Sequence, residues 1–304
     1  MVAPRGGVVV GHAGGRYRVF SQGELLAASL RGRMKHDQEE RVLVGDRVTL
    51  ALHQDGSVTI EGIERRESVL RRRMPGKRRG VRAVVANVDQ VIVVGAAREP
   101  DWDPYLIDRF LAVSEANQLQ AVLVVNKCDL VADRESLVRP YRTGGYEVIE
   151  TSARTGVGLD GLRRHLRTRI SVFTGPTGVG KSSLLNALQP GLSLRTAAVS
   201  SKSGAGRHTT VTAEMHPLEP DGFVVDTPGL RDIGLWGLAL PDVVNAFPEI
   251  ATAGSACRFD NCRHLGEPGC AVEPAVARDE VAASRLASYR QLLREALEAA
   301  RPWA

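Results

Sequence analysis

The 304-residue chain has only four cysteines, too few for a disulfide-stapled scaffold of this length. It also lacks any apolar run near the roughly 18 residues that a membrane helix requires. The run at residues 91–97 has only strand length. Ahead of Gly11 and His12 the chain offers Arg5 and then Val8, Val9 and Val10, too little for the apolar core of a secretory leader. The expectation is a cytoplasmic protein with no membrane partner. Charge of one sign is also in short supply: 40 Lys and Arg face 35 Asp and Glu, a net +5. What is present, 43% hydrophobic and 25% charged residues, is the balance of a soluble globular chain with room for two or three domains.

The small basic excess clusters. Residues 65–82 hold nine basic side chains (Arg65, Arg66, Arg71, Arg72, Arg73, Lys77, Arg78, Arg79 and Arg82) against one acid, Glu67. Two readings stand, a solvated linker and a polyphosphate contact whose cations displace counterions from nucleic acid. Pro75-Gly76 excludes a continuous helix. Residues 67–86 therefore read as a basic linker between domains.

Before it, residues 1–66 read as short strands at 8–10, 17–20, 25–30, 42–44, 47–52 and 58–63, separated by turn signals such as Gly45-Asp46 and Asp55-Gly56. Val48, Leu50 and Leu52 alternate with Arg47, Thr49 and Ala51, the period of a half-buried strand. So many short strands in so few residues predict a small all-β barrel, with an OB-fold as the best size match. Such a barrel is either a nucleic-acid binder or purely structural, since fold alone does not decide.

The chemistry lies in the middle. An apolar strand at 171–173 runs into Gly175-Pro176-Thr177-Gly178-Val179-Gly180-Lys181-Ser182, followed by Ser183 and a helical stretch to Leu188. This is the G-x-x-x-x-G-K-S/T phosphate loop in its strand–loop–helix setting. Its glycines let backbone N–H groups face phosphates, Lys181 supplies a point charge and Ser182 a Mg²⁺ ligand. A second strand at 222–225 ends in Asp226-Thr227-Pro228-Gly229. Asp226 is placed to hold the magnesium and the Gly229 N–H to sense a γ-phosphate. Between them, Gly206-Arg207-His208-Thr209-Thr210 follows a Ser/Gly-rich stretch. Either threonine, Thr209 or Thr210, could complete the Mg²⁺ shell while γ-phosphate is present, as an order–disorder switch.

The base-reading elements come earlier. A strand at 121–125 leads into Asn126-Lys127-Cys128-Asp129, and another at 147–150 leads into Thr151-Ser152-Ala153. In the Asn-Lys-x-Asp pattern the carboxylate accepts the N1 and N2 protons of guanine, which adenine lacks. Ser152 and Ala153 are placed to support the base. GTP-binding chains usually run in the opposite order, phosphate loop first. The same sheet can be made by a circularly permuted chain with its termini at other exposed loops. The central unit is thus expected at 87–236 as a permuted α/β P-loop GTPase.

Residues 237–304 have a signature of their own. Cys257-x₄-Cys262-x-His264-x₅-Cys270 is a Cys₃His set suited to one structural zinc, the alternative being buried thiols beside an incidental histidine. Val281, Leu286, Tyr289, Leu293, Leu297 and Ala300 track one face of a C-terminal helix.

Barrel, permuted GTPase motifs and zinc spacing together resemble the ribosome small-subunit-dependent GTPase A family, RsgA, also called YjeQ, over essentially the whole chain. The resemblance implies a multidomain protein that binds GTP, GDP, Mg²⁺ and Zn²⁺. It also implies action in late maturation of the small ribosomal subunit, with rRNA contact and subunit-stimulated hydrolysis; the chain itself is expected to be a monomer. A mainly non-enzymatic RNA-placement protein, its affinity tuned by GTP, is the alternative. Leu230 stands where many GTPases carry a water-orienting glutamine, and leucine offers water no hydrogen bond. His208 is the candidate substitute, supported by the resemblance, with a surface histidine of no consequence as the other reading. Lys181, Thr210 and His208 are the expected catalytic set.

Overall fold

Alternating small apolar side chains close the first domain on itself. The computed structural model describes residues 5–31, 42–73, 81–191, 213–226 and 238–300. Its first five strands are β1 (Arg5–Ala13), β2 (Arg16–Ser21), β3 (Glu24–Leu30), β4 (Arg47–Leu52) and β5 (Val58–Ile63). They form a closed barrel in the order β1-β2-β3-β5-β4, with only β3 and β5 parallel. Val9, Val19, Val48, Leu50 and Ile60 fill it. The β2–β3 turn places Gln22 and Gly23 at positive φ, the hairpin geometry that suits strand twist. This closed five-strand barrel fits the expected OB-fold.

Two details of the N-terminal reading change. Residues 42–44 are not a barrel strand, because Val44 makes only an isolated bridge to Val85. Its carbonyl accepts from Ala86 N–H (2.9 Å), and Gly45 N–H donates to Val9 (2.8 Å). These backbone groups join the barrel to the next element instead of entering a ladder. That next element is the second change. Residues 67–86 carry an antiparallel pair, β6 (Val69–Arg73) and β7 (Val81–Ala86), where a linker was expected. Leu70 and Val85 are fully buried in one core with Val10 and Val91, so the segment is packed structure. Within the basic run, Arg66 grips the fully buried Asp46 through two hydrogen bonds of 2.7 and 2.9 Å, a bidentate pair. Lys77, Arg78 and Arg79 lie outside the described residues.

The central sheet contains β8 (Gln90–Ala96), β9 (Gln120–Asn126), β10 (Glu147–Glu150), β11 (Ile170–Thr174), β12 (Glu214–Leu218) and β13 (Gly222–Asp226). Its order is β10-β9-β8-β11-β13-β12, all parallel except β12. Along β8, Val91 and Val93 face one side and pack with α1 (Pro104–Ala116) and α2 (Glu135–Thr143). Ile92 and Val94 face the other, with α3 (Leu159–Leu166) and α4 (Lys181–Leu188). A strand buried on both faces needs such a continuous apolar run. The barrel meets β12 through an Arg18–Glu214 ion pair (3.0 Å) and β13 through an edge-to-face contact of Phe20 with Phe223.

The C-terminal unit is helical: α5 (Leu240–Asn245), α6 (Pro248–Gly254), α7 (Val272–Ala277) and α8 (Ala283–Ala300). Its core includes Leu286, Tyr289 and Leu293, as the helical spacing predicted, whereas Ala300 is exposed. Arg285 on α8 is buried, with 1% of its side chain exposed. It donates to Asp108 of α1 (2.8 Å) and to Glu249 of α6 (2.7 Å), and lies over the Phe247 ring at 4.4 Å. Burial pushes the Asp108 carboxyl up to about 6 against the opposing pull of the Arg285 guanidinium. Arg285 thereby joins the helical unit to the GTPase sheet. Arg285→Met should destabilise the protein by about 3–5 kcal/mol, the cost of leaving a buried charge uncompensated. Denaturant titration measures this, and a loss under about 1 kcal/mol would contradict the role.

Candidate functional site

Parallel strands bring β9, β10, β11 and β13 to one edge of the sheet by their carboxyl ends. The strands that follow β8 are added first on one side of it (β9, β10) and then on the other (β11, β13), and such a switch point is where open α/β sheets bind ligands. The Gly-rich loop after β11 sits there. Gly175 has φ +135°, and a Cβ on it would stand 2.1 Å from the Val94 carbonyl oxygen. At Gly180, with φ +93°, a Cβ would lie 2.4 Å from Asn126 Nδ2. Only glycine fits either place. Pro176, Thr177 and Gly178 form the outward tip, Val179 is buried, and α4 starts at Lys181 so that its first N–H groups face the loop. Lys181 Nζ donates to the Gly175 and Pro176 carbonyls at 2.6 Å each, which holds the ammonium inside the curve. Ser182 is half-buried in the first turn of α4 beside exposed Ser183.

Asn126 ends β9 with 1% of its surface exposed. Its Nδ2 donates to the Val179 carbonyl (2.9 Å), and its Oδ1 accepts from Ala153 N–H (3.2 Å). One buried amide therefore ties the phosphate loop to the Ser152-Ala153 loop. Lys127, at φ +59°, passes beside Gly180 and donates to the Glu99 carbonyl. Asp129 lies in a 3₁₀ turn, Cys128–Leu130. The Ser152 hydroxyl first, and then the Arg154 guanidinium at 2.6 Å, hold its carboxyl below the usual carboxylate range. At neutral pH it is thus a pure acceptor. The Ser152 and Ala153 N–H groups are used within the protein, donating to Val157 and Asn126. Asp226 ends β13 on the same sheet edge. Its side chain lies outside the described residues, as do His208, Thr209, Thr210, Gly229 and Leu230.

The second cluster fits a metal. Cys257, Cys262, His264 and Cys270 place their ligand atoms within 4.8 Å of one another. His264 offers Nδ1, which is 3.6 Å from Cys257 Sγ and 3.5 Å from Cys270 Sγ. Tetrahedral coordination with bonds of about 2.3 Å sets ligands about 3.8 Å apart, so a small contraction suffices. Burial pushes the Cys262 thiol up to about 12 and the His264 imidazole down. Outer partners are in place as well: Ala271 N–H donates to Cys257 Sγ (3.2 Å), and Arg290 donates to the His264 carbonyl (2.7 Å).

The sequence profile of the RsgA GTPase family matches residues 63–236, more than half of the chain. The chain belongs to the RsgA GTPase family. An RsgA relative from Gemmatimonas aurantiaca, named small ribosomal subunit biogenesis GTPase RsgA, is 51% identical over 293 residues, covering 94% of this chain and 95% of that protein. One of the same name from Moorella thermoacetica is 42% identical over 292 residues, covering 96% and 97%. The solved structure of YjeQ from Thermotoga maritima superposes with a TM-score of 0.80 at 35% identity, covering 98% of this chain and all of that one. YloQ, described as a circularly permuted GTPase, gives 0.76 at 28%, covering 99% and 98%. RsgA membership makes the chain a GTPase, with GTP and GDP as nucleotides and Mg²⁺ as the associated ion. The permuted architecture is likewise shared.

Asn126→Ala should unlink the two loops and leave the Val179 carbonyl and Ala153 N–H without their partner. At about 1–3 kcal/mol, GDP affinity should fall roughly ten- to a hundredfold while the fold survives. Fluorescent-nucleotide titration beside circular dichroism checks it, and unchanged affinity would remove the amide from site assembly.

Proposed function

We propose that this GTPase acts in maturation of the small ribosomal subunit as a switch that binds the subunit and its rRNA according to the nucleotide held. The observation that carries this reading is the full-length similarity to relatives named for small-subunit biogenesis. The site chemistry agrees with it. Asp129 accepts the two guanine protons, Asn126 and Lys127 hold the base loop against the phosphate loop, and Ser152 and Ala153 frame the base. The loop Gly175, Pro176, Thr177, Gly178, Val179 and Gly180 wraps the phosphates, with Lys181 as its cation and Ser182 and Ser183 opening α4 beneath. Ser182, Asp226 and one of Thr209 and Thr210 would hold magnesium, which when bound neutralises charge on the β- and γ-phosphates. Gly229 N–H meets the γ-phosphate. With leucine at 230, His208 orients the attacking water.

The exposed cations Arg65, Arg71 and Arg82 add a salt-sensitive contact to rRNA. The protein works as a cytoplasmic monomer, and among the described residues no helix is long and apolar enough to cross a membrane. Cys257, Cys262, His264 and Cys270 hold one structural zinc. It cross-links the 257–270 loop against Tyr289 of α8, whose ring lies 5.9 Å from that of His264.

Multiple-turnover GTP hydrolysis should rise when purified small subunits are added. Lys181→Ala should lose both binding and turnover. His208→Ala should keep GTP affinity and lose about ten- to a thousandfold of the stimulated rate, the worth of one positioned catalytic group. Absence of stimulation would overturn the function, and normal stimulated turnover in His208→Ala would overturn that residue's role. Metal analysis of reduced, unchelated protein should find one zinc per chain. Cys262→Ala should destabilise the C-terminal unit before nucleotide binding suffers, whereas zinc-free wild-type protein would refute the site.

A further inference from the structure

Arg154 belongs to none of the motifs above, yet it reaches the base-reading carboxylate. It follows Ala153 in a tight turn closed by Ser152 N–H to the Val157 carbonyl (2.9 Å), Gly156 N–H to the Ser152 carbonyl (2.9 Å) and Thr155 N–H to Ser152 Oγ (3.1 Å). That turn pins the backbone on either side of residue 154. The Arg154 side chain is 75% exposed, and that of Asp129 only 13%. From this outer position Arg154 Nη2 donates to Asp129 Oδ2 at 2.6 Å.

A carboxylate that reads guanine must offer both oxygens, one to N1–H and one to the N2 amino group. The geometry points to Arg154 as a positioning residue that competes with the guanine base for one oxygen of Asp129 and so sets how sharply the site separates guanine from hypoxanthine. This rests on Asp129 being the base reader. A guanine amino group that takes Oδ2 meets an oxygen already engaged by Arg154, whose positive charge lowers its strength as an acceptor, so the second hydrogen bond is weaker than it would be to a free carboxylate. An inosine nucleotide has only N1–H, uses one oxygen and leaves the Arg154 pair in place. The ion pair therefore weakens guanine binding and spares hypoxanthine. Ser152, which also hydrogen-bonds the carboxylate, keeps it aligned whether or not the guanidinium is engaged.

The test is the ratio of GDP to IDP affinity in the full chain, measured by competition against a fluorescent GDP. Using diphosphates removes hydrolysis, and taking a ratio cancels the phosphate contacts. Arg154→Ala should raise the ratio about threefold, the size of one exposed ion pair. In the unmodified protein, raising ionic strength should screen the pair and move the ratio toward that of the variant. This second arm stands even if the variant folds poorly. A ratio that stays level or falls in Arg154→Ala, or a salt-independent wild-type ratio, overturns the proposal. Asp129→Asn is the control for the underlying reading and should shift preference from GDP to xanthosine diphosphate. If it does not, the base-reading assignment itself fails. If it does while Arg154→Ala leaves the ratio unchanged, only the role of Arg154 is lost.

Discussion

A single buried amide ties the Gly-rich loop after β11 to the Ser152-Ala153 loop. Asn126 donates to the Val179 carbonyl and accepts from the Ala153 N–H, so the two halves of the proposed nucleotide pocket share one side chain. Such an amide costs free energy if it is left unpaired in the interior, and here both ends are used. The close packing of Gly180 against it follows, since any Cβ there would collide with Asn126 Nδ2. Glycine at the loop and asparagine at the strand end are thus one constraint written in two places.

Circular permutation leaves that constraint intact, because strand order matters to the site and chain order does not. The chain enters the sheet at its centre through β8, builds outward to β10, returns to β11 and continues to β13. The consequence lies at the ends. A strand pair packed through Leu70 and Val85 precedes β8, and the barrel leans on β12 through Arg18 and on β13 through Phe20. On the other side, Arg285 bonds Asp108 and Glu249 and fastens the helical unit onto α1. Both flanking units therefore rest on the sheet that carries the nucleotide loops, one of them on the hairpin that ends in Asp226.

The sequence made local features legible. Glycine spacing, strand-length apolar runs and Cys/His spacing each have a short-range signature, and the barrel, the phosphate loop, the Asn-Lys-x-Asp turn and the Cys₃His cluster were all readable from them. What escaped was non-local. Arg66 looked like one more member of a basic run, and nothing nearby announced Asp46, 20 positions away, as its buried partner. No local pattern marked Arg285, because its partner Asp108 is 177 positions distant. Residues 42–44 had strand composition, but the Val44 carbonyl accepts from β7 through an isolated bridge instead of entering a barrel ladder. Arg154 had no motif to mark it, and only the turn at 152–157 brings it to Asp129.

A nucleotide site that controls a partner must give the partner different affinities in its two states, since a ligand shifts an equilibrium only by its differential affinity. A tenfold preference corresponds to about 1.4 kcal/mol of coupling. The direct measurement is cosedimentation of the full chain with purified small ribosomal subunits at fixed salt, once with a non-hydrolysable GTP analogue and once with GDP. About tenfold tighter association in the GTP-analogue state is the expected result, and equal association in both states would contradict the switch.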